Sequence, residues 1–288
     1  MLEDFLSTWE LFQNAYLVGW LSSVVLAPIG VIVVARNQIF LSAAIAQSST
    51  LGIAIGMLLG GFAALGMLGW LQSDAFLSAA AIGFATLATL TTTLGQQAVR
   101  ESVEAMTGWI FLFSSSVSIL LLAHSPHGLE EIYRLLSSSL IGATRADVWI
   151  FATLAALSIL GLLAYHRRLL LVVLDPSFAV AMGMRRWVWE LLIGTWLGVA
   201  VGLSMRSVGM IYTFGCLVLP ALAAKHMCHE VRAMLVLAPV VAVASALFGF
   251  VFANHYDYPP AQMTAAFLCA WVVAAWAGTR LFSLALFG

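Results

Sequence analysis

Long apolar runs alternate with short polar breaks along the whole chain. Spans of helical length are expected near 14–35, 39–60, 75–95, 108–124, 146–165, 187–205, 207–224, 232–253 and 262–282. About twenty apolar residues cross a bilayer as helix, and each run has roughly that length. The runs lack the ten-residue inside/outside alternation of a membrane barrel, so helices are the better reading. The stretch 131–143 (EIYRLLSSSLIGA) is too short and polar for a clean span and reads as a re-entrant or surface helix. The expected architecture is all-α: a polytopic transmembrane bundle of eight or nine spans, forming a single domain over 1–288.

Composition agrees with the pattern. Of 288 residues, 62% are hydrophobic and 9% are charged. Soluble domains carry about 25% charged residues, so a soluble enzyme, a nucleic-acid binder and a disordered chain are excluded. Net charge is −1, which offers no basic surface to nucleic acid. The three cysteines, Cys216, Cys228 and Cys269, form no CxxC and suggest neither a disulfide framework nor a zinc ribbon. The acidic start, MLEDF, does not read as a cleaved signal peptide.

Charge placement predicts orientation. With the N-terminus outside, Arg36, Arg100, Arg167, Arg168, Arg185, Arg186, Lys225, Arg232 and Arg280 fall inside. Arg134, Arg145 and Arg206 fall outside. This excess of inside basic residues obeys the positive-inside rule and places the C-terminus in the cytoplasm.

Candidate chemistry is sparse. Nearly every Asp, Glu, Lys and Arg sits in a loop or at a span end, and Glu190 is the deepest. Ion-coupled carriers usually need a buried ionisable group or a broken-helix site. No GxxxxGK[ST] occurs, so the chain binds no nucleotide through a P-loop and any pumping draws on another chain. The cluster KHMCHE, with His226, Cys228, His229 and Glu230, offers zinc-ligand types. It lacks the second His of HExxH and reads first as a polar turn. The outside loops hold His124, His127, Glu130, Glu131, His255 and Asp257, which read first as solvated loop residues and second as a meeting place for a cation or a partner.

Gln47, Ser48, Ser49 and Thr50 stand together in the second span, where polar groups are costly. Interhelical hydrogen bonding and lining of a translocation path are both open for them. Ser114, Ser115, Ser116 and Ser118 raise the same question in the fourth span. Small residues recur four apart at Ser48, Gly52, Gly56 and Gly60, and again at Gly194, Gly198 and Gly202. Such stripes read first as close helix packing, and alternatively as a sliding surface.

The segment 175–186, DPSFAVAMGMRR, carries its own punctuation. Asp175 before Pro176 starts a helix and Gly183 stops it, giving about two turns between two spans. Its face carries Phe178, Ala179 and Met182, and it is flanked by Arg185 and Arg186. Such a helix docks into another protein's groove or lies on the lipid surface.

Four stretches, taken in order, resemble the metal-type (zinc/manganese/iron) permeases of ABC importers. LDPSFAVAMGM is similar to that family's cytoplasmic coupling segment. VGMIYTFGCLVLPALAAK resembles its Gly-then-apolar run ending in Pro and small residues. SALFGFVFANHYDYPPAQ resembles its late span, and VVARNQIFLSAAIAQSSTLGIAIG its second span. The likeness runs over most of the chain and is strongest from 170 to 275.

The resemblance implies a type II importer-like permease that moves a divalent transition metal inward across a bacterial plasma (inner) membrane. It implies a homodimer, or a pair with a related permease, two cytoplasmic ATPases and an extracytoplasmic binding protein. ATP would be used by the partner subunit, with no cofactor and no catalytic residue on this chain. Asp175, Ala179, Gly183 and Arg185 would couple the chain to the ATPase. The family's second span carries an Asp and, four residues on, a His. The matching positions here are Ala43 and Gln47, which puts a metal site there in doubt. A chelated or non-metal cargo and an ATPase-independent channel or carrier are the alternatives.

Overall fold

A computed structural model describes residue 5 and residues 8–63, 73–98, 102–123 and 142–287. Ten helices are present among them: α1 Trp9–Ala35, α2 Ile39–Ala63, α3 Asp74–Ala98, α4 Val103–Ala123, α5 Arg145–Leu174, α6 Pro176–Ala181, α7 Arg186–Ser207, α8 Met210–Met227, α9 Val231–Tyr256 and α10 Pro260–Phe287. All but α6 are long and apolar enough to cross a membrane, giving nine spans among the described residues. Most of the stretch 131–143 lies outside the described residues.

The spans follow the hydrophobic runs closely, with two instructive departures. α5 continues nine residues past the expected end at 165, through His166, Arg167 and Arg168 to Leu174. Hydropathy falls at those basic residues, but none of them breaks a helix, so the helix runs on beyond the apolar stretch. The eighth helix starts at Met210 rather than 207 because Gly209 has φ +81°, a left-handed conformation that interrupts the helix.

Helix α1 is the centre of the bundle. In its most apolar window 78% of residues are buried, against 17% for α5. It packs against α5, α8 and α9, while α3 sits between α2 and α7. Gly30 permits the approach of α1 to α8: a Cβ there would fall 1.6 Å from the Leu217 carbonyl oxygen. A polar knot ties the same two helices, with the Tyr212 hydroxyl donating to the Gly19 carbonyl at 2.8 Å. Ser23 Oγ lies 2.8 Å from that hydroxyl and donates to the same carbonyl at 2.9 Å.

Both small-residue stripes pack on α3. On α2, a Cβ at Gly52 would meet the Ala80 carbonyl oxygen at 2.5 Å, and one at Gly56 would meet Leu77 at 2.9 Å. On α7, a Cβ at Gly198 would crowd Thr86 at 2.7 Å and one at Gly202 would crowd Ile82 at 2.7 Å. Gly194 has more room, with Thr89 at 3.5 Å. Gly60 is buried near the end of α2. Helix α3 is thus gripped from two sides by neighbours without side chains, which lets backbones approach where no hydrophobic drive exists. Arg206 near the end of α7 pairs with Asp74 at the start of α3, fastening the same contact at its far end.

Candidate functional site: the turn at 175–186 and the second span

The segment after α5 is built by its sequence. Asp175 closes one helix and opens the next. Its N–H donates to the Leu171 carbonyl, and its Oδ1 accepts from the Phe178 N–H at 2.9 Å. Pro176 takes the first helical position, where its missing N–H costs nothing. The helix ends after six residues, shorter than the two turns expected. Gly183, at φ +78°, follows the cap. The Met184 N–H reaches the Ala179 carbonyl at 3.0 Å and the Gly183 N–H the Val180 carbonyl at 2.9 Å, a Schellman closure.

This compact turn presents two faces. Ala179 is fully buried and so does not share with Phe178 and Met182 the face that the sequence suggests; successive helical residues diverge by about 100°, and Ala179 anchors the inner face. Phe178, Val180 and Met182 are each more than half exposed, so the other face is apolar and uncovered. Arg185 caps α7 from an exposed position. Asp175, Ala179, Gly183 and Arg185 therefore stand in one short structural unit, with distinct places in it.

A charged cluster lies beneath the turn. Arg186 Nε donates to Glu190 Oε1 at 2.7 Å, and Glu190 is 7% exposed. A cavity of about 310 Å³ joins this pair to Arg36, Pro176 and Thr92. Burial pulls the Arg36 guanidinium below its ordinary pKa, the Glu190 charge opposes that, and Arg186 adds to it. The sequence marks Glu190 as the deepest charge, and its partners belong to the loop after α1 and the first turn of α7. Their spacing carries a signal only for the i,i+4 pair of Arg186 and Glu190.

The four polar residues of α2 do not share one environment. Gln47 Nε2 points across to Met210 Sδ on α8 at 3.5 Å. Ser48 donates to the Phe84 carbonyl on α3 at 2.9 Å, and Thr50 to Ala46 in its own helix at 3.1 Å. Ser49 is buried, and its Oγ has no partner among the described residues. Successive helical residues are about 100° apart, so four in a row cannot line one surface. On α4, Ser114 and Ser118 are buried whereas Ser116 is exposed.

No group of three or more His, Cys, Asp or Glu that could hold a metal ion occurs among the described residues. His226, in the last turn of α8, and His229, in the turn between α8 and α9, are both exposed. At the opposite end of the bundle from α6, Asn254, Asp257 and Tyr258 line a cavity of about 210 Å³ with Tyr16 and Phe250. His124, His127, Glu130 and Glu131 lie outside the described residues.

These features describe a helical membrane protein with a short, partly uncovered turn between two of its spans. The family model for the ABC 3 transport family matches residues 8–278, and the chain belongs to that family. A manganese transport system membrane protein, MntC of Halalkalibacterium halodurans, is 22% identical over 88% of this chain and 82% of its own. The high-affinity zinc uptake system membrane protein ZnuB of Haemophilus influenzae is 21% identical over 86% of this chain and 90% of its own. PsaBC of Streptococcus pneumoniae, solved in complex with a Fab, shares the fold. Its TM-score is 0.80 at 19% identity, covering 96% of this chain and 95% of that one.

Proposed function

We propose that this chain is the membrane subunit of a bacterial ABC importer that moves a divalent transition metal into the cell. It works as a homodimer, or beside a related permease, in the plasma membrane, with its C-terminus and α6 in the cytoplasm. A separate ATPase docks on α6 and supplies the energy, and an extracytoplasmic binding protein delivers the cargo at the opposite end. The chain itself catalyses no reaction and holds no cofactor.

The observation that carries this reading is the turn at 175–186. A helix anchored through Ala179, capped by Asp175 and closed by Gly183 offers Phe178, Val180 and Met182 to a partner. The manganese and zinc relatives support the choice of cargo. Asp175 and Gly183 fix the shape of the turn, Ala179 seats it, and Arg185 leads from it into α7. The test is reconstitution in liposomes with and without the partner ATPase. ATP-dependent metal accumulation supports the reading, and equal flux without the ATPase makes the chain a channel or carrier.

A second reading rests on Ala43 and Gln47. Neither supplies a carboxylate or an imidazole, and an amide oxygen holds a divalent ion more weakly. A chelated metal, recognised by shape and hydrogen bonds, would need no such ligands. Uptake of free against chelated metal by the reconstituted complex separates the two.

A further inference from the structure

Away from the coupling turn, the bundle carries a groove between α5 and α9, floored by α1. Its volume is about 440 Å³. Val24 and Pro28 make the floor, Leu163 and Leu170 one wall, and Val236 and Pro239 the other. Leu163 and Val236 are each 69% exposed, so the groove opens sideways toward lipid.

The end of the groove nearest α6 is basic. His166 and Arg232 line it, and Arg167 and Arg168 follow on α5, both exposed. His166 Nδ1 lies 3.1 Å from the Leu163 carbonyl, which leaves Nε2 as the ring nitrogen for a ligand. No acid lines the groove. Glu230, the exposed N-cap of α9 two positions before Arg232, does not line it. From Arg232 to Pro239 the groove runs about 10 Å along the helix axis.

The prolines add a polar feature. Pro28 and Pro239 lie inside α1 and α9 and have no N–H to offer the carbonyls of Val24 and Leu235 one turn back. All four residues line the groove.

We propose that this groove is a binding site for one anionic phospholipid. One acyl chain lies along the groove and the phosphate meets Arg232 and His166. The proposal rests on the orientation given above, in which this end faces the anionic cytoplasmic leaflet. A second copy of the chain is a poorer occupant. A two-fold contact uses the same patch on both subunits, and this patch carries basic groups with no acid to answer them.

The test is native mass spectrometry of the full chain in detergent, titrated with palmitoyl-oleoyl phosphatidylglycerol, with phosphatidylcholine of the same chains, and with glycerol 3-phosphate. Phosphatidylglycerol should be retained about fivefold or more over phosphatidylcholine, since each basic side chain near a membrane surface is worth about 1 kcal/mol toward anionic lipid. The double substitution Arg232→Gln/His166→Gln should abolish that preference, and Val236→Trp should lower retention of phosphatidylglycerol by plugging the groove. Arg145→Gln, exposed at the far end of α5, should leave retention unchanged.

Equal retention of the two lipids, or an unchanged preference in the double variant, overturns the proposal. So does competition by glycerol 3-phosphate, which would mark a site for a soluble phosphate. A shift to monomer on Val236→Trp with no lipid retained would assign the groove to a second copy and also overturns it. If the double variant does not fold, Arg232→Gln alone, at an exposed position, decides the same comparison. Binding is read without ATPase or metal, so failure here is distinct from failure of the transport reading.

Discussion

Gly30 of α1 lies directly against the Leu217 carbonyl of α8, and a Cβ at that glycine would fall 1.6 Å from the oxygen. The obstacle is backbone, so no side chain can swing aside. Gly30→Ala is expected to destabilise the bundle by about 3 kcal/mol, the upper end for overpacking. The thermal midpoint of the purified chain in detergent checks this. An unchanged midpoint would mean that α1 and α8 are further apart than described.

Gly183 is expected to be more sensitive in coupling than in folding. An L-residue in the left-handed region costs about 1–2 kcal/mol, confined here to an exposed turn. Gly183→Leu should keep the chain in the membrane and lower metal transport per ATP hydrolysed, while Gly183→Asn, which tolerates that conformation, should be milder. The check is the ratio of transport to hydrolysis in proteoliposomes. Normal transport by Gly183→Leu would remove the residue from the coupling unit.

The spans and the turn at 175–186 were legible in the sequence because each rests on local chemistry. Apolar length defines a span, and Asp-Pro with a glycine seven residues after the proline defines a short capped helix. The packing partners were not legible in this way. Gly194, Gly198 and Gly202 mark a smooth face, but only the fold shows that the face meets α3. Gly30 stands outside any four-residue series, so no spacing singled it out. The Arg36–Glu190 proximity joins residues far apart in sequence. The run 47–50 looked uniform as text, yet helical rotation sends its side chains to different neighbours.

Glu190 is the buried acid that faces the half-buried Arg36 and the exposed Arg186 beside the turn at 175–186. Glu190→Gln leaves Arg36 and Arg186 without its charge, which should cost about 1–3 kcal/mol. The double substitution Arg36→Gln/Glu190→Gln should recover part of that loss. The thermal midpoints of the two single variants and the double variant make the comparison. Additive losses would show that Arg36 and Glu190 do not interact.

Neighbouring residues of α2 should separate by function. Ser48→Ala removes a hydrogen bond to α3 and should cost about 1 kcal/mol of stability with uptake unchanged. Gln47→Leu should lower uptake with little loss of stability, because its partner among the described residues is a thioether, a weak acceptor. Initial uptake rates and melting curves of both variants check the contrast. Unchanged uptake kinetics in Gln47→Leu would remove Gln47 from the path.

The most direct test of the central claim is total cell metal by mass spectrometry, in a strain lacking this chain and in the same strain complemented, under metal limitation. Zinc, manganese, iron, cobalt and nickel are read together. The importer account predicts that one of them falls without the chain and recovers with it, and that a complementing copy carrying Gly183→Leu fails to restore it. Unchanged levels of all five metals would contradict metal import and turn attention to a cargo that Ala43 and Gln47 can pass.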